Sequence, residues 1–233
     1  MTSRVLILAD IHANPIALKA VLHDAGEVDR ILCAGDLVDY NPWPLEAIKM
    51  VEENHIISVI GNHDRDCALG SPIGYNPYAE QSCNWTHSQL TEEARRPLLD
   101  LPESLRVDVD GRVVFVCHGS PRDLIDEYVF PPPVTTRGLL REFLREVRSS
   151  VLVMGHTHVP FIEEFPEGWV VNPGSVGQPR DRNPRASYVL LTVEDSRVGL
   201  TLHRVEYDVD EVARRIIAVG LPRFLAQRLY LGI

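Results

Sequence analysis

Short apolar runs, each followed at once by residue types that bind metals, recur along this chain and constrain what it can fold into. Val5 to Ala9 leads into Asp10-Ile11-His12, Ile31 to Ala34 into Gly35-Asp36-Leu37-Val38-Asp39, and Ile56 to Ile60 into Gly61-Asn62-His63-Asp64. Further on, Val113 to Val116 leads into Cys117-His118-Gly119, and Val151 to Met154 into Gly155-His156-Thr157-His158. Runs of this length and content read as buried strands. The polar blocks therefore fall where strands stop and loops begin, which is where α/β folds place their chemistry.

Between the first runs lie helical patterns. Asn14 followed by Pro15 is a helix start, with Asn as cap and Pro at the first helical position. Leu18, Val21, Leu22 and Ala25 then make an apolar stripe that ends at Gly26, and Pro44 to Glu53 repeats the pattern with Leu45, Ile48 and Val51 inward. Strand-helix alternation implies a parallel sheet. From Asp66 to Pro102 the rhythm breaks: a Gly/Pro-containing loop is followed by helical stretches through Trp85 and from Thr91. A cap-like insertion over about 66–104 is expected, facing the substrate. Asp110-Gly111 joins Val107 to Val109 and Val113 to Val116 as a hairpin, because Asp-Gly favours the tight type I′ turn. Prolines 131–133 stiffen the way into a helix over Arg137 to Val147. Phe161 to Phe165, Trp169 to Val171, Tyr188 to Val193 and Val198 to Val205 read as further strands, and Val209 to Val219 and Phe224 to Leu229 as closing helices. There is no internal repeat, low-complexity tract or linker.

With 233 residues, 45% of them apolar and 24% charged, the chain can bury one sizeable core, so residues 1–233 are read as a single domain. No apolar run approaches a membrane span and no secretory signal opens the chain, so a cytoplasmic protein is expected. Cys33, Cys67, Cys83 and Cys117 lack Cys-x-x-Cys spacing, which argues against a thiolate zinc site or a redox pair; Cys33 and Cys117 lie in strand-like runs and read as core. A net charge of −10 excludes a nonspecific nucleic-acid binder, which needs a basic face. An anionic substrate must then be drawn by a local positive centre such as bound metal.

The order and content of the five blocks, from Asp10 to His158, resemble the calcineurin-like metallophosphoesterase superfamily. Asp10-Ile11-His12-Ala13-Asn14 and the Asn172-Pro173-Gly174-Ser175 stretch are similar to its small prokaryotic phosphoesterases. The resemblance implies an α/β fold, a four-layer αββα sandwich of two mixed β-sheets flanked by helices. It also implies two divalent metal ions: Asp10, His12 and His158 would hold one, Asn62, His118 and His156 the other, with Asp36 bridging. Mixed oxygen and nitrogen ligation of this kind suits Mn, Fe, Zn, Ni or Co, with Mn the first choice. A two-metal site can hold a bridging hydroxide for in-line attack on phosphorus. By the same resemblance His63 is the catalytic histidine, protonating the departing oxygen, with Asp64 orienting it. For Asp39 the family's supporting carboxylate and a solvated loop residue both stay open.

Phosphoprotein phosphatases of this superfamily continue the second block as Asp-Arg-Gly and write the third as Arg-Gly-Asn-His-Glu. Here the corresponding residues are Asp39-Tyr40-Asn41 and Ile60-Gly61-Asn62-His63-Asp64, so both arginines are absent. A diester carries one negative charge and needs less neutralisation than a dianionic monoester. A phosphodiesterase acting on a small or nucleotide-like phosphoester is therefore expected, ahead of a phosphoprotein or phosphomonoester phosphatase and of a non-catalytic scaffold. Arg122, Arg180, Arg182 and Arg185 are candidates for phosphate contacts against the plainer reading of surface ion pairs. Asn14 is a candidate substrate contact against a helix cap. Tyr40, Trp43, Tyr75, Tyr78 and Trp85 are candidates for base stacking against core packing. His23, His55, His87 and His203 stay outside the site, His203 facing water by strand alternation.

Overall fold

A computed structural model describes residues 2–233. Ser3–Leu8 forms the first strand, β1, and its side chains alternate between two buried faces: Leu6 and Leu8 pack under helices while Val5, Ile7 and Ala9 meet a second sheet. That is why the run is continuously apolar instead of alternating with polar residues. Asn14 accepts from the Ala17 amide at 3.0 Å and caps α1 (Pro15–Ala25), which lays Leu18, Val21 and Ala25 on the sheet. β2 (Arg30–Cys33), α2 (Pro44–Glu53) and β3 (Ile57–Ser58) complete the parallel unit, with Leu6 opposite Ile31 and Cys33 opposite Ser58. β3 is shorter than its apolar run, because the Ile60 amide turns away to the Pro102 carbonyl at 2.9 Å.

The segment after it departs from its sequence reading at the start. Helix α3 (Asn62–Leu69) begins directly at the third block, since the Asp64 side chain turns back to accept the Gly61 amide at 3.0 Å and satisfies a free donor of the first turn. α4 (Pro77–Gln89, capped by Asn76) and α5 (Glu92–Leu99, capped by Thr91) follow. Cys67, Cys83, Leu90 and Leu98 from these three helices and their joins lie in the same apolar cluster as Leu6 and Leu8.

β4 (Ser104–Val109) and β5 (Arg112–Cys117) are joined through Asp110 and Gly111, both with positive φ (50° and 76°), as a type I′ turn demands. After α6 (Arg137–Val147) come β6 (Val151–Val153), β7 (Phe161–Phe165), β8 (Gly168–Asn172), β9 (Ala186–Glu194), β10 (Arg197–Val205), α7 (Val209–Ala218) and α8 (Arg223–Leu231). They complete two mixed five-stranded sheets, ordered β10-β9-β1-β2-β3 and β4-β5-β6-β8-β7. Val5, Ile7 and Val59 of the first sheet meet Val114, Val116 and Val153 of the second. On the outer side of the second sheet, Leu140, Phe143 and Leu144 of α6 cover Phe115 and Leu152. The result is helices, sheet, sheet and helix in four layers, the αββα sandwich expected from the sequence. Ile7→Ala between the sheets is expected to cost about 2–5 kcal/mol, read as a lower urea midpoint at unchanged slope.

His203 does not face water as alternation suggested. The β9–β10 register sets it opposite Tyr188, and the two rings stack at 4.7 Å and 4°. α1 covers this face, so the Tyr188 hydroxyl reaches Asp24 at 2.8 Å. Among the described residues no helix is long and apolar enough to cross a membrane.

Candidate metal centre

The polar blocks meet at one edge of the sandwich through tight turns that ordinary residues resist. Asp10, His12, Asp36, Asp39, Tyr40, His156 and His158 all have positive φ, between 46° and 78°. Side chains other than glycine enter this left-handed region at a cost of about 1–2 kcal/mol each, and such strain clusters where function requires it. The turns hold one another in place: the amides of Asp10, His12 and Ala13 donate to Gly35, Asp36 and Leu37 at 2.9–3.0 Å. The Ser175 hydroxyl and the Gly177 amide both donate to the Asp10 carbonyl. Gly61 allows a close approach, because a Cβ there would stand 2.1 Å from Asp36 Oδ1.

Beside a buried group of Asp39, His63 and Cys67 stand two buried ligand sets, Asp10/His12/Asp36/His158 and Asp36/His118/His156, the ligand atoms of each group lying within 4.8 Å of one another. Asp36 belongs to both. His118 Nε2 lies 3.3 Å from Asp36 Oδ2, His12 Nε2 3.6 Å from the same oxygen, and His158 Nε2 3.4 Å from Asp10 Oδ1. Asn62 joins the second set, its Oδ1 3.1 Å from His118 Nε2, while its amide donates to the Tyr75 hydroxyl at 2.7 Å. All seven expected ligands are thus brought together.

Hydrogen bonding fixes which nitrogen of each ring carries its lone pair. A carbonyl can only accept, so His12 Nδ1 donates to Val38, His158 Nδ1 to Gln178, His118 Nδ1 to Ala34 and His156 Nε2 to Asp126. The remaining nitrogens then face each other, His12 Nε2 and His158 Nε2 as two acceptors at 3.0 Å and His118 Nε2 and His156 Nδ1 at 3.1 Å. Burial holds His12 down at about 3 and His156 at about 2, which keeps both in the neutral, ligating form. For His118 burial acts the same way, but the Asp36 carboxylate outweighs it and lifts the group to about 9, so this nitrogen draws in a positive charge, whether proton or metal ion. Both oxygens of Asp10 and Oδ2 of Asp36 are buried without any hydrogen-bond partner. Acceptors facing acceptors beside orphaned carboxylates are unstable unless cations sit between them. The residues therefore fit divalent metal ions.

His63 lies beside this centre, its ring 5.1 Å from that of His12, and its amide donates to Asp36 Oδ1 at 2.9 Å. Its Nδ1 donates to Asp39 Oδ2 at 2.6 Å, and Asp39 Oδ1 accepts from the Ser82 and Thr86 hydroxyls of α4 at 2.6 and 3.2 Å. Burial alone would raise the Asp39 carboxyl; the hydrogen bond and charge of His63, helped by Ser82, outweigh it and hold the group below the ordinary carboxylate range. Asp39 is thus a fully buried partner of His63 and no solvated loop residue. Asp64, expected to orient His63, does something else: its carboxylate takes the amides of Leu37, Val38 and Gly61 at 2.8–3.1 Å and ties the second block to the third.

Comparison with known proteins agrees with this geometry. Residues 4–196 match the model of the calcineurin-like phosphoesterase superfamily domain. The chain belongs to this superfamily. A metallophosphoesterase from Sphaerobacter thermophilus, known from its crystal structure, is 37% identical, each chain covering 100% of the other, with a TM-score of 0.84. A hypothetical protein from Pyrococcus horikoshii OT3 is 25% identical with a TM-score of 0.89, over 99% of both chains. An uncharacterized protein from Methanocaldococcus jannaschii is 31% identical over 99% of this chain and 98% of its own.

The other expected contacts of this phosphoesterase-family chain divide clearly. Asn14 is spent on capping α1 and on the Gly177 carbonyl at 3.2 Å. Arg122 is exposed, paired with Glu127 and lying 5.0 Å over the Phe143 ring, so it serves the packing of its own loop. The Arg182 main-chain amide donates to the Gly232 carbonyl at 2.7 Å, and Arg185 Nε donates to Asn183 Oδ1 at 3.1 Å. Arg180 does reach the centre: its amide donates to the His158 carbonyl at 3.2 Å and its charge acts on Asp10, His12 and His158. Tyr40 is buried edge-on against His12 at 4.7 Å, Trp43 and Trp85 pack on the C-terminal helices, and Tyr78 stacks on Phe224 at 5.0 Å. His23 and His55 are exposed, and His87 Nδ1 donates to the Cys67 carbonyl at 2.7 Å. The aromatic face that borders the centre in the open is one the sequence did not flag. Tyr128, 51% exposed, stacks on His156 at 3.7 Å, with Phe130 beyond it at 5.9 Å.

Proposed function

We propose that the chain is a phosphoester hydrolase that uses two divalent metal ions, Mn first among them, and that its preferred substrate is a small or nucleotide-like phosphodiester. The observation that carries this reading is the pair of ligand sets sharing Asp36, with lone pairs and unpartnered carboxylates turned inward. Asp10, His12 and His158 would hold one ion, Asn62, His118 and His156 the other. Bound there, the ions would supply Lewis acidity and a more acidic water as the source of a nucleophile.

The chain's own residues do the rest. Asp39 fixes His63 Nδ1 as a donor, so Nε2 is the nitrogen left to hold or release the proton that the departing ester oxygen needs. Arg180 brings one positive charge to the centre, enough to accompany the single charge of a diester phosphoryl group. Tyr128 offers an exposed aromatic face beside His156 on which a nucleobase can stack. We place the enzyme in the cytoplasm, where free thiols such as those of its four buried cysteines persist.

Manganese-loaded protein is expected to hydrolyse bis-nitrophenyl phosphate faster than mono-nitrophenyl phosphate, and to lose both activities on chelation. A strong preference for the monoester overturns the diester reading. Metal-loaded protein inactive on every phosphoester favours a scaffold.

A further inference from the structure

Arg180 is not alone at the mouth of the site. Arg228, carried by α8 and so outside the residues that the family model matches, brings its guanidinium carbon within 5.9 Å of the Tyr40 ring centroid, where that of Arg180 lies at 5.6 Å. Tyr40 in turn packs against His12 and His63, at 4.7 and 4.6 Å. The two like charges are close enough that Arg228 is pulled down to about 10, first by burial and then by Arg180.

Such a pair is costly, and among the described residues no Asp or Glu side chain offsets it. Asp and Glu outnumber Lys and Arg by 33 to 23. Arg65, Arg122, Arg141 and Arg204 each meet a carboxylate, yet among the described residues neither Arg180 nor Arg228 meets one of Asp or Glu. Arg180 spends one amino nitrogen on Gln178 Oε1 at 3.1 Å, while its buried Nε has no partner. Arg228 donates Nε to the terminal oxygen of Ile233, and the two amino nitrogens of its fork remain for another partner. Adjacent guanidiniums that keep amino nitrogens free of side-chain carboxylates beside a reaction centre can receive an oxyanion.

We infer that Arg228, with Arg180 beside it over Tyr40, binds a second anionic group of the substrate, apart from the phosphoryl group attacked at the metal centre. This rests on the hydrolase reading and extends it: one cation suffices for a diester phosphoryl, so the second selects substrates that carry a further phosphate or carboxylate.

The test compares, on manganese-loaded protein, thymidine 5′-(p-nitrophenyl phosphate) with the same ester bearing a 3′-phosphate. The wild type is expected to favour the phosphorylated ester in kcat/KM, and Arg228→Gln to shrink that preference roughly ten- to a hundredfold, with Arg228→Lys between them. Separately, the melting temperature of chelator-stripped protein is followed against inorganic pyrophosphate and against succinate. A rise with pyrophosphate alone that is lost in Arg228→Gln identifies a phosphate site, and an equal rise with succinate a general oxyanion site. A folded, metal-replete Arg228→Gln protein with unchanged preference, together with no anion-dependent rise in the wild type, overturns the inference. If neither ester is cleaved by metal-loaded protein, the hydrolase reading alone fails and the stripped-protein titration decides the anion site.

Discussion

Replacing Asp36 by asparagine is expected to reduce metal affinity at least about a hundredfold and to take phosphoester hydrolysis with it. Outer partners of metal ligands already cost about 10–100-fold when removed, and Asp36 stands in direct contact with both ligand sets. The carboxylate is fully buried, within 3.6 Å of His12 and 3.3 Å of His118, and it also accepts the His63 amide. Asparagine keeps the size but removes the charge and turns two N–H donors towards ring nitrogens or metal ions. Metal content after dialysis against a buffered metal solution reads the effect. Two retained equivalents in Asp36→Asn would disprove the shared-ligand arrangement.

His63→Gln is expected to behave in the opposite way on the metal axis. His63 contributes no ligand atom to either Asp36-containing set, so the variant should keep its metal. It should lose about 10²- to 10⁴-fold in kcat, the usual contribution of a positioned proton donor. Asp39→Asn is the companion variant. It leaves the ring in place but removes the buried charge that fixes its tautomer, and a loss of about 10–100-fold is expected. Leaving-group dependence separates a proton-transfer role from a structural one. The His63→Gln deficit should narrow for p-nitrophenol, which departs without protonation, and widen for an alkyl alcohol. An equal deficit for both leaving groups counts against His63 as the acid.

The architecture was legible because its determinants are local. Asp110-Gly111 needs only its own backbone freedom to make a tight turn, and Asn14-Pro15 only its own amide geometry to start a helix. The seven candidate ligand positions were legible through the family resemblance of five blocks that each come after a strand-like apolar run, within a few residues of a strand end. What escaped depends on contacts between distant stretches. Helix α3 was missed because its start rests on Asp64 reaching back to Gly61, in a place where an apolar run and a polar block suggested a strand and its loop. For the same reason Asp64 was given the role of Asp39: adjacency to His63 in sequence is a poor guide once a helix begins there and turns the two side chains apart. Ser82 and Thr86, Tyr128 and Arg228 approach the centre from α4, from a loop and from the last helix, and nothing in their own neighbourhoods marks them.

The seven left-handed residues around the centre also bear on how this chain survives. Together with the unpaired carboxylates they concentrate a native-state penalty of several kcal/mol, on the order of the whole margin by which a domain stays folded. Ions that bind only the native form offset that penalty by mass action. Cation supply should therefore set the protease resistance of the polypeptide as well as its turnover.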